Sequence, residues 1–264
     1  MDYYDSFPTP PVRYAFDDDD ESEMEEQEQQ QQATQSSCSV VARLSQAIPS
    51  EHKVTLLLGV HGPGSVLLEA LHDTTSIGEL VTAYPEDDKR TSTTTPILQL
   101  PSDTTTLVGI PFQHTVPRED AATFVRSIMT LFQNQIESVY VLDAFARTNY
   151  ISAVREDDAS PPLLRVLQTS ATQAQHFEEY QPPNMVEAFT AAALAYCEIH
   201  HVPCYGFLSL QETYLGKPIV TSETLEAYTH GFQALNINIA YDLSKMEAAA
   251  KKQQIDQHHH RLYL

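Results

Sequence analysis

Positive charge is scarce in this chain. Its 264 residues carry 15 lysines and arginines against 36 aspartates and glutamates, a net charge of -21. Nucleic acid and anionic membranes both call for clustered basic side chains, so neither is expected as a main partner. Cysteine is scarce as well: Cys38, Cys197 and Cys204 are an odd, sparse set. That fits reduced thiols in the cytoplasm or nucleus better than a disulfide framework. Long apolar runs are missing; the stretch from Val54 to Val60 is far too short to span a bilayer. No basic segment followed by an apolar one opens the sequence, so no signal peptide is expected. The chain also lacks a G-x-S-x-G elbow, a dinucleotide G-x-G-x-x-G and the Lys-Ser/Thr pair of a Walker loop. The expectation is a binding protein rather than an enzyme, with no catalytic residue, cofactor or metal.

What is present is unevenly distributed. Residues 1–39 hold 11 acidic side chains and one basic one, Arg13, and include the glutamine-rich run from Gln27 to Gln32. Such a segment buries too little apolar surface to offset its ordering entropy and is expected to be a disordered acidic tail. From residue 40 the pattern changes. Near-continuous apolar runs at Val54–Val60, Leu107–Phe112, Ser138–Ala144, Leu163–Leu167 and Cys204–Leu210 read as strands. Between them, Ala121, Phe124, Val125, Ile128, Leu131 and Phe132 share one face of a helix expected over about 119–135. A second helix is expected from Asn184, as N-cap, with Glu187 completing a capping box and Met185, Ala188, Phe189, Ala192, Tyr196 and Ile199 inward. A third is capped by Thr221 or Ser222 with Leu225, Tyr228, Phe232 and Leu235 inward, and a fourth begins at Asp242 or Ser244 and fades near Asp256. The polar segment 86–106 reads as a loop with one edge strand at Ile97–Leu100. Strands alternating with helices predict an α/β layered domain over 40–257, with a largely parallel or mixed central sheet flanked by helices. Residues 258–264 are expected to form a flexible tail.

Three local constellations could carry chemistry. The turn Gly59-Val60-His61-Gly62-Pro63-Gly64-Ser65 lies between strand and helix, where an enzyme acting on a nucleotide or ester would place its loop; a plain tight turn accounts for it better. Cys197, His200, His201 and Cys204 offer four potential metal ligands, but on one short segment rather than two opposed knuckles; two buried thiols are the simpler reading. Asp143, at the carboxyl end of a strand, stands where ligands bind in open α/β sheets, with a cap or turn role as the simpler reading. His258-His259-His260 reads as a polar hinge. Beyond it, Leu262-Tyr263-Leu264 combines an aliphatic anchor, a hydroxylated ring and a terminal carboxylate, ingredients of carboxyl-terminus capture in a shallow pocket.

This ending resembles the hydrophobic-Tyr-X tail by which activators and assembly chaperones dock on the proteasome α-ring. A second likeness accompanies it. The segments Ser160–Thr169, Gln181–Val186, Ala191–Cys197, Val202-Pro203 and Leu225–Tyr228 are similar in order and spacing to the proteasome assembly chaperone family, over roughly residues 138–264. The resemblance implies a non-catalytic α/β subunit. It further implies pairing with proteasome assembly chaperone 2, binding to the proteasome α-subunits of the core-particle α-ring, and residence in the cytoplasm or nucleus. By carry-over Leu262 is the hydrophobic position, Tyr263 the tyrosine and Leu264 the terminal residue, received between adjacent α-subunits where a lysine meets the carboxylate.

Overall fold

The computed structural model of the protein describes residues 38–49, 51–85, 90–102, 105–151, 160–173 and 177–259, and side chains as far as Gln253. The chain divides into two units, Met1–Ser36 and Ser37–Leu264; all described residues belong to the second. Residues 1–37 of the expected acidic tail lie outside them; the last two, Cys38 and Ser39, belong to the domain, with Cys38 buried in the core and Ser39 opening its first strand.

The strands with the longest apolar runs form the middle of the sheet. Strand β2 (Val54–Gly59) is buried at every position, and β5 (Thr106–Pro111), β6 (Ile136–Ala146) and β8 (Cys204–Gln211) nearly so at their centres. Such strands need cover on both faces, which parallel sheets with crossover helices provide. They pair in parallel in the order β5-β2-β6-β8, with Leu56 opposite both Val108 and Val139, and Leu142 opposite Phe207. Antiparallel strands extend the sheet at both sides: β4 (Thr93–Leu100), β3 (Thr75–Ala83) and β1 (Ser39–Leu44) beyond β5, and β7 (Leu164–Gln168) beyond β8. The full order is β1-β3-β4-β5-β2-β6-β8-β7, a mixed eight-stranded sheet, and a short ribbon of β9 (Thr213–Tyr214) and β10 (Lys217–Pro218) stands apart.

Side chains alternate between two cores. Leu56, Leu58, Val139 and Val141 face helices α2 (Ala121–Leu131) and α3 (Ala188–Ile199). Leu57, Tyr140, Leu142 and Phe207 face α1 (Pro63–Ala70), α4 (Ser222–Ala234) and α5 (Leu243–His259). On the second face Tyr140 stacks on Tyr205 at 5.3 Å between ring centres, and Phe207 meets Phe232 edge-on at 5.2 Å. Tyr228 is fully buried and donates its hydroxyl to the Asp143 carbonyl at 2.5 Å.

The expected layered architecture is present, with differences that have physical causes. Segment 86–106 is not a loop with an edge strand. Its β-branched run Thr93-Thr94-Thr95 enters β4, an interior strand between β3 and β5; alternation buries Thr95 and Ile97 on one face, and Leu100 is buried in the core on the other. Pro96 is tolerated because pairing with β5 covers only Leu98 to Leu100. Strand β3 also escapes a reading by apolar runs: its inward set is Ile77, Gly78, Leu80 and Thr82, interrupted by a register shift near Ser76. Helix α3 begins three residues later than the capping box implies, with Glu187 rather than Asn184 at its N-cap. Asn184 instead closes a turn on the Gln181 carbonyl and clamps Ile151, while Glu187 pairs with Arg118. Ala188 then turns the chain at φ 47. The inward stripe is therefore Phe189, Thr190, Ala193 and Cys197, leaving Met185 80% and Ile199 74% exposed. Helix α4 matches its expected stripe, with Thr221 as cap accepting from the Thr224 N–H. Asp242 caps α5 by accepting from Ser244 and Lys245 N–H groups.

Candidate functional site

Leu262, Tyr263 and Leu264 lie outside the described residues, and what the structure describes is the helix that carries them. Helix α5 is tied to α1 at successive points. Tyr241 bridges Leu71, the Asp242 N–H donates to the Ala70 carbonyl at 2.9 Å, and Lys245 Nζ donates to the Leu71 carbonyl at 3.1 Å. Met246 and Ala249 are buried in the same core, and Gln253 Nε2 donates to Ser65 Oγ at 2.5 Å. As α5 advances from Lys245 to Gln253, its partners on α1 retreat from Leu71 to Ser65, so the two helices run antiparallel. Helix α5 therefore heads toward the start of α1, where β2 ends. From Gln253 it continues six residues to His259, about 9 Å at 1.5 Å per residue. His258 and His259 belong to this helix and form no hinge. Helix α5 thus runs toward the carboxyl edge of the parallel strands.

At the same edge the turn from Gly59 to Ser65 is explained by packing. A Cβ on Gly64 would lie 2.0 Å from the Leu142 carbonyl oxygen, and one on Gly59 would lie 2.6 Å from the Gly64 carbonyl oxygen. Gly62 takes φ 115, open to glycine alone. Ser65 is fully buried, donates to the Gly62 carbonyl and accepts from Gln253. A hydroxyl so enclosed is a strut between α1 and α5, and this is the tight turn expected from sequence.

The Cys197–Cys204 segment divides between core and solvent. Both thiols are fully buried, whereas His200 and His201 are exposed. The four do not converge, and no three potential metal ligands gather among the described residues. Contact with the Cys197 thiol and burial push the Cys204 thiol well above its usual range.

Asp143 is neither a helix cap nor a turn residue. It projects from β6 toward the first turn of α3, accepting from Thr190 Oγ1 at 2.5 Å and from the Ala144 N–H at 2.8 Å. Burial raises its carboxyl above the usual aspartate range, against the lowering effect of those two bonds. It lines an open cleft of about 480 Å³ with Phe145, Tyr180, Val186 and Met185. The signal for this cleft in the sequence was one acid at a strand's end; its aromatic wall comes from segments far apart in the chain.

Residues 88–263 match a family model described as Proteasome assembly chaperone 4. The chain belongs to this family. The match starts well before residue 138, where the likeness read from the sequence begins, and it takes in β4 to β8 and α2 to α5, leaving β1, β2, α1 and β3 outside. Among relatives, Proteasome assembly chaperone 1 of Dictyostelium discoideum is 22% identical over 178 residues, which are 64% of this chain and 65% of that protein. The chain thus spans just under two thirds of that relative's length. Among solved structures, a protein of unknown function from Thermoplasma acidophilum superposes with a TM-score of 0.56 at 10% identity, over 80% of this chain and 89% of its own. PbaB of Pyrococcus furiosus, an archaeal proteasome activator, gives 0.53 at 12% identity over 85% and 98%. PbaA of the same organism, an archaeal homolog of proteasome-assembly chaperone, gives 0.52 at 11% over 84% and 96%. At these identities the likeness establishes the fold that the assembly chaperone family shares with them.

Proposed function

We propose that the protein is a non-catalytic chaperone for assembly of the proteasome core particle. It works in the cytoplasm or nucleus as a heterodimer with proteasome assembly chaperone 2. It docks on the α-ring by inserting Leu262-Tyr263-Leu264 between adjacent α-subunits, where a lysine meets the terminal carboxylate. The observation that carries this reading is the family match, which extends as far as residue 263 and so includes Leu262 and Tyr263. The fixed course of α5 supports it, because a helix anchored on α1 gives the segment that follows a rigid base, and preorganisation lowers the ordering cost of binding.

The energetics suit a binder that must release. Burying Leu262 and part of Tyr263 contributes on the order of 3 kcal/mol at about 25 cal/mol per Å², and the carboxylate adds a charge-assisted contact. One tail therefore binds weakly, and a second tail or a docked body raises affinity through effective concentration. The test is binding of purified α-rings by the heterodimer, read by biolayer interferometry. Tyr263→Ala is expected to weaken binding by about 2 kcal/mol, roughly 30-fold. Tyr263→Phe is expected to cost about 1 kcal/mol, one hydrogen bond. A glycine added after Leu264 keeps every side chain but displaces the carboxylate, and it is expected to act almost like deletion. Full binding by the glycine extension would refute terminal capture.

A further inference from the structure

We propose that the cleft at the carboxyl ends of β6 and β8 receives a basic side chain, lysine or arginine, presented between apolar neighbours by a partner polypeptide. Its floor is Asp143, whose partners among the described residues are the Thr190 hydroxyl and the Ala144 N–H, with no cation beside it. The carboxylate thus carries a charge that two hydrogen bonds only partly compensate, and burial strengthens whatever opposite charge approaches it.

One wall is aromatic. Phe145 lies 5.3 Å from Tyr180 and 4.7 Å from Tyr150 between ring centres, and Tyr150 lies 5.8 Å from Tyr180. Aromatic faces beside a carboxylate suit an alkylammonium or guanidinium group. The cluster already holds one such group: Arg165, two strands from Asp143, lies 5.8 Å over the Tyr150 ring and donates to its hydroxyl at 2.9 Å.

The rim points to a polypeptide rather than a small amine. Ile151 is 62% exposed and Met185 80% exposed. Asn184 holds the two segments together, accepting from the Ile151 N–H and donating to its carbonyl, both at 2.8 Å. Two large apolar side chains held in water beside an acidic cleft are covered by residues flanking a basic one, and a preformed rim lowers the ordering cost of binding. The cleft works independently of the tail, so its failure and that of tail docking are separable.

The experiment uses the full chain and the capped pentapeptide acetyl-Ala-Leu-Lys-Leu-Ala-amide, followed by amide NMR shifts at Ala144, Ala146, Val186 and Leu208. Saturable shifts confined to this cleft are expected, at least ten-fold weaker with norleucine in place of lysine. Asp143→Asn is expected to weaken lysine-peptide binding at least ten-fold. Met185→Ser, on the exposed rim, serves as the second variant: it leaves the fold intact and is expected to weaken binding of both peptides about three-fold. Equal binding of lysine and norleucine peptides would overturn the proposal. So would undiminished binding by a folded Asp143→Asn variant, or shifts produced by spermidine and not by the lysine peptide.

Discussion

Gly64→Ala is the most direct probe of how α1 seats against the sheet. The added Cβ would stand 2.0 Å from the Leu142 carbonyl oxygen and 2.8 Å from its carbon. A relaxed carbon–oxygen contact is about 3.3 Å, so α1 or β6 must give by about 1.3 Å. Neither moves freely. Val66 and Leu67 on α1 are fully buried, β6 is paired on both sides, and α5 covers α1 from outside. Overpacking costs about 1–3 kcal/mol when side chains can adjust. Here the obstacle is backbone, and alanine regains at most about 1 kcal/mol in helix propensity. We expect a net loss of about 3 kcal/mol, a large fraction of the roughly 5–15 kcal/mol typical of a domain. Gly216→Ala is the control: nothing lies within 4 Å of its Cβ, and only its φ of +74 is strained, worth about 1 kcal/mol. The chain has no tryptophan, so urea unfolding is followed by circular dichroism at the helix band. A Gly64→Ala protein within about 0.5 kcal/mol of wild type, or one more stable than Gly216→Ala, would refute this account of the β2–α1 turn.

Other expectations follow from titrating and buried groups. Asp143 has its carboxyl raised by burial. Its stabilising contribution is therefore full below the unfolded value of about 3.9 and is lost as pH rises through the folded one. The melting temperature of Asp143→Asn should gain on wild type between pH 4 and pH 7 in calorimetry, and a constant difference would contradict this. Burial pushes Tyr140 up to about 12, with its bond to Ser138 opposing. The stability tied to its neutral phenol is lost as pH rises from about 10 through that value, so Tyr140→Phe should unfold later than wild type in an alkaline titration read by circular dichroism. Gln253→Leu removes the bond to Ser65 and should cost about 1 kcal/mol, with faster hydrogen exchange in the last turns of α5 and little change in α4.

Legibility in the sequence followed burial on two faces. Strands β2, β5 and β8 announce themselves because both sides face helices, so nearly every residue is apolar. Strands β3 and β4 lie outside the parallel centre, carry threonine and glutamate on one side, and resemble loop until alternation is traced from Thr75 to Leu100. Helix α4 is legible because Thr221, Leu225, Tyr228 and Phe232 repeat without interruption. The start of α3 is not, because Asn184 and Glu187 form contacts with Ile151 and Arg118 that are distant in sequence and compete with the local capping box. Of the candidate sites, Asp143 is visible as a single residue, while its cleft depends on Phe145 of β6 meeting Tyr180 from the β7–α3 connection.

The antiparallel seating of α5 on α1 has a consequence for the order in which the protein is made. Helix α1 is synthesised early, and the surface it offers through Ser65 and Leu71 waits for α5, whose contacting residues lie 188 and 174 positions further along the chain. The second core thus stays open along α1 until that late helix arrives. A nascent or truncated chain that stops before Asp242 leaves Met246, Ala249 and Gln253 out of the core and α1 uncovered on that side. Folding of this half of the domain is therefore completed late in synthesis.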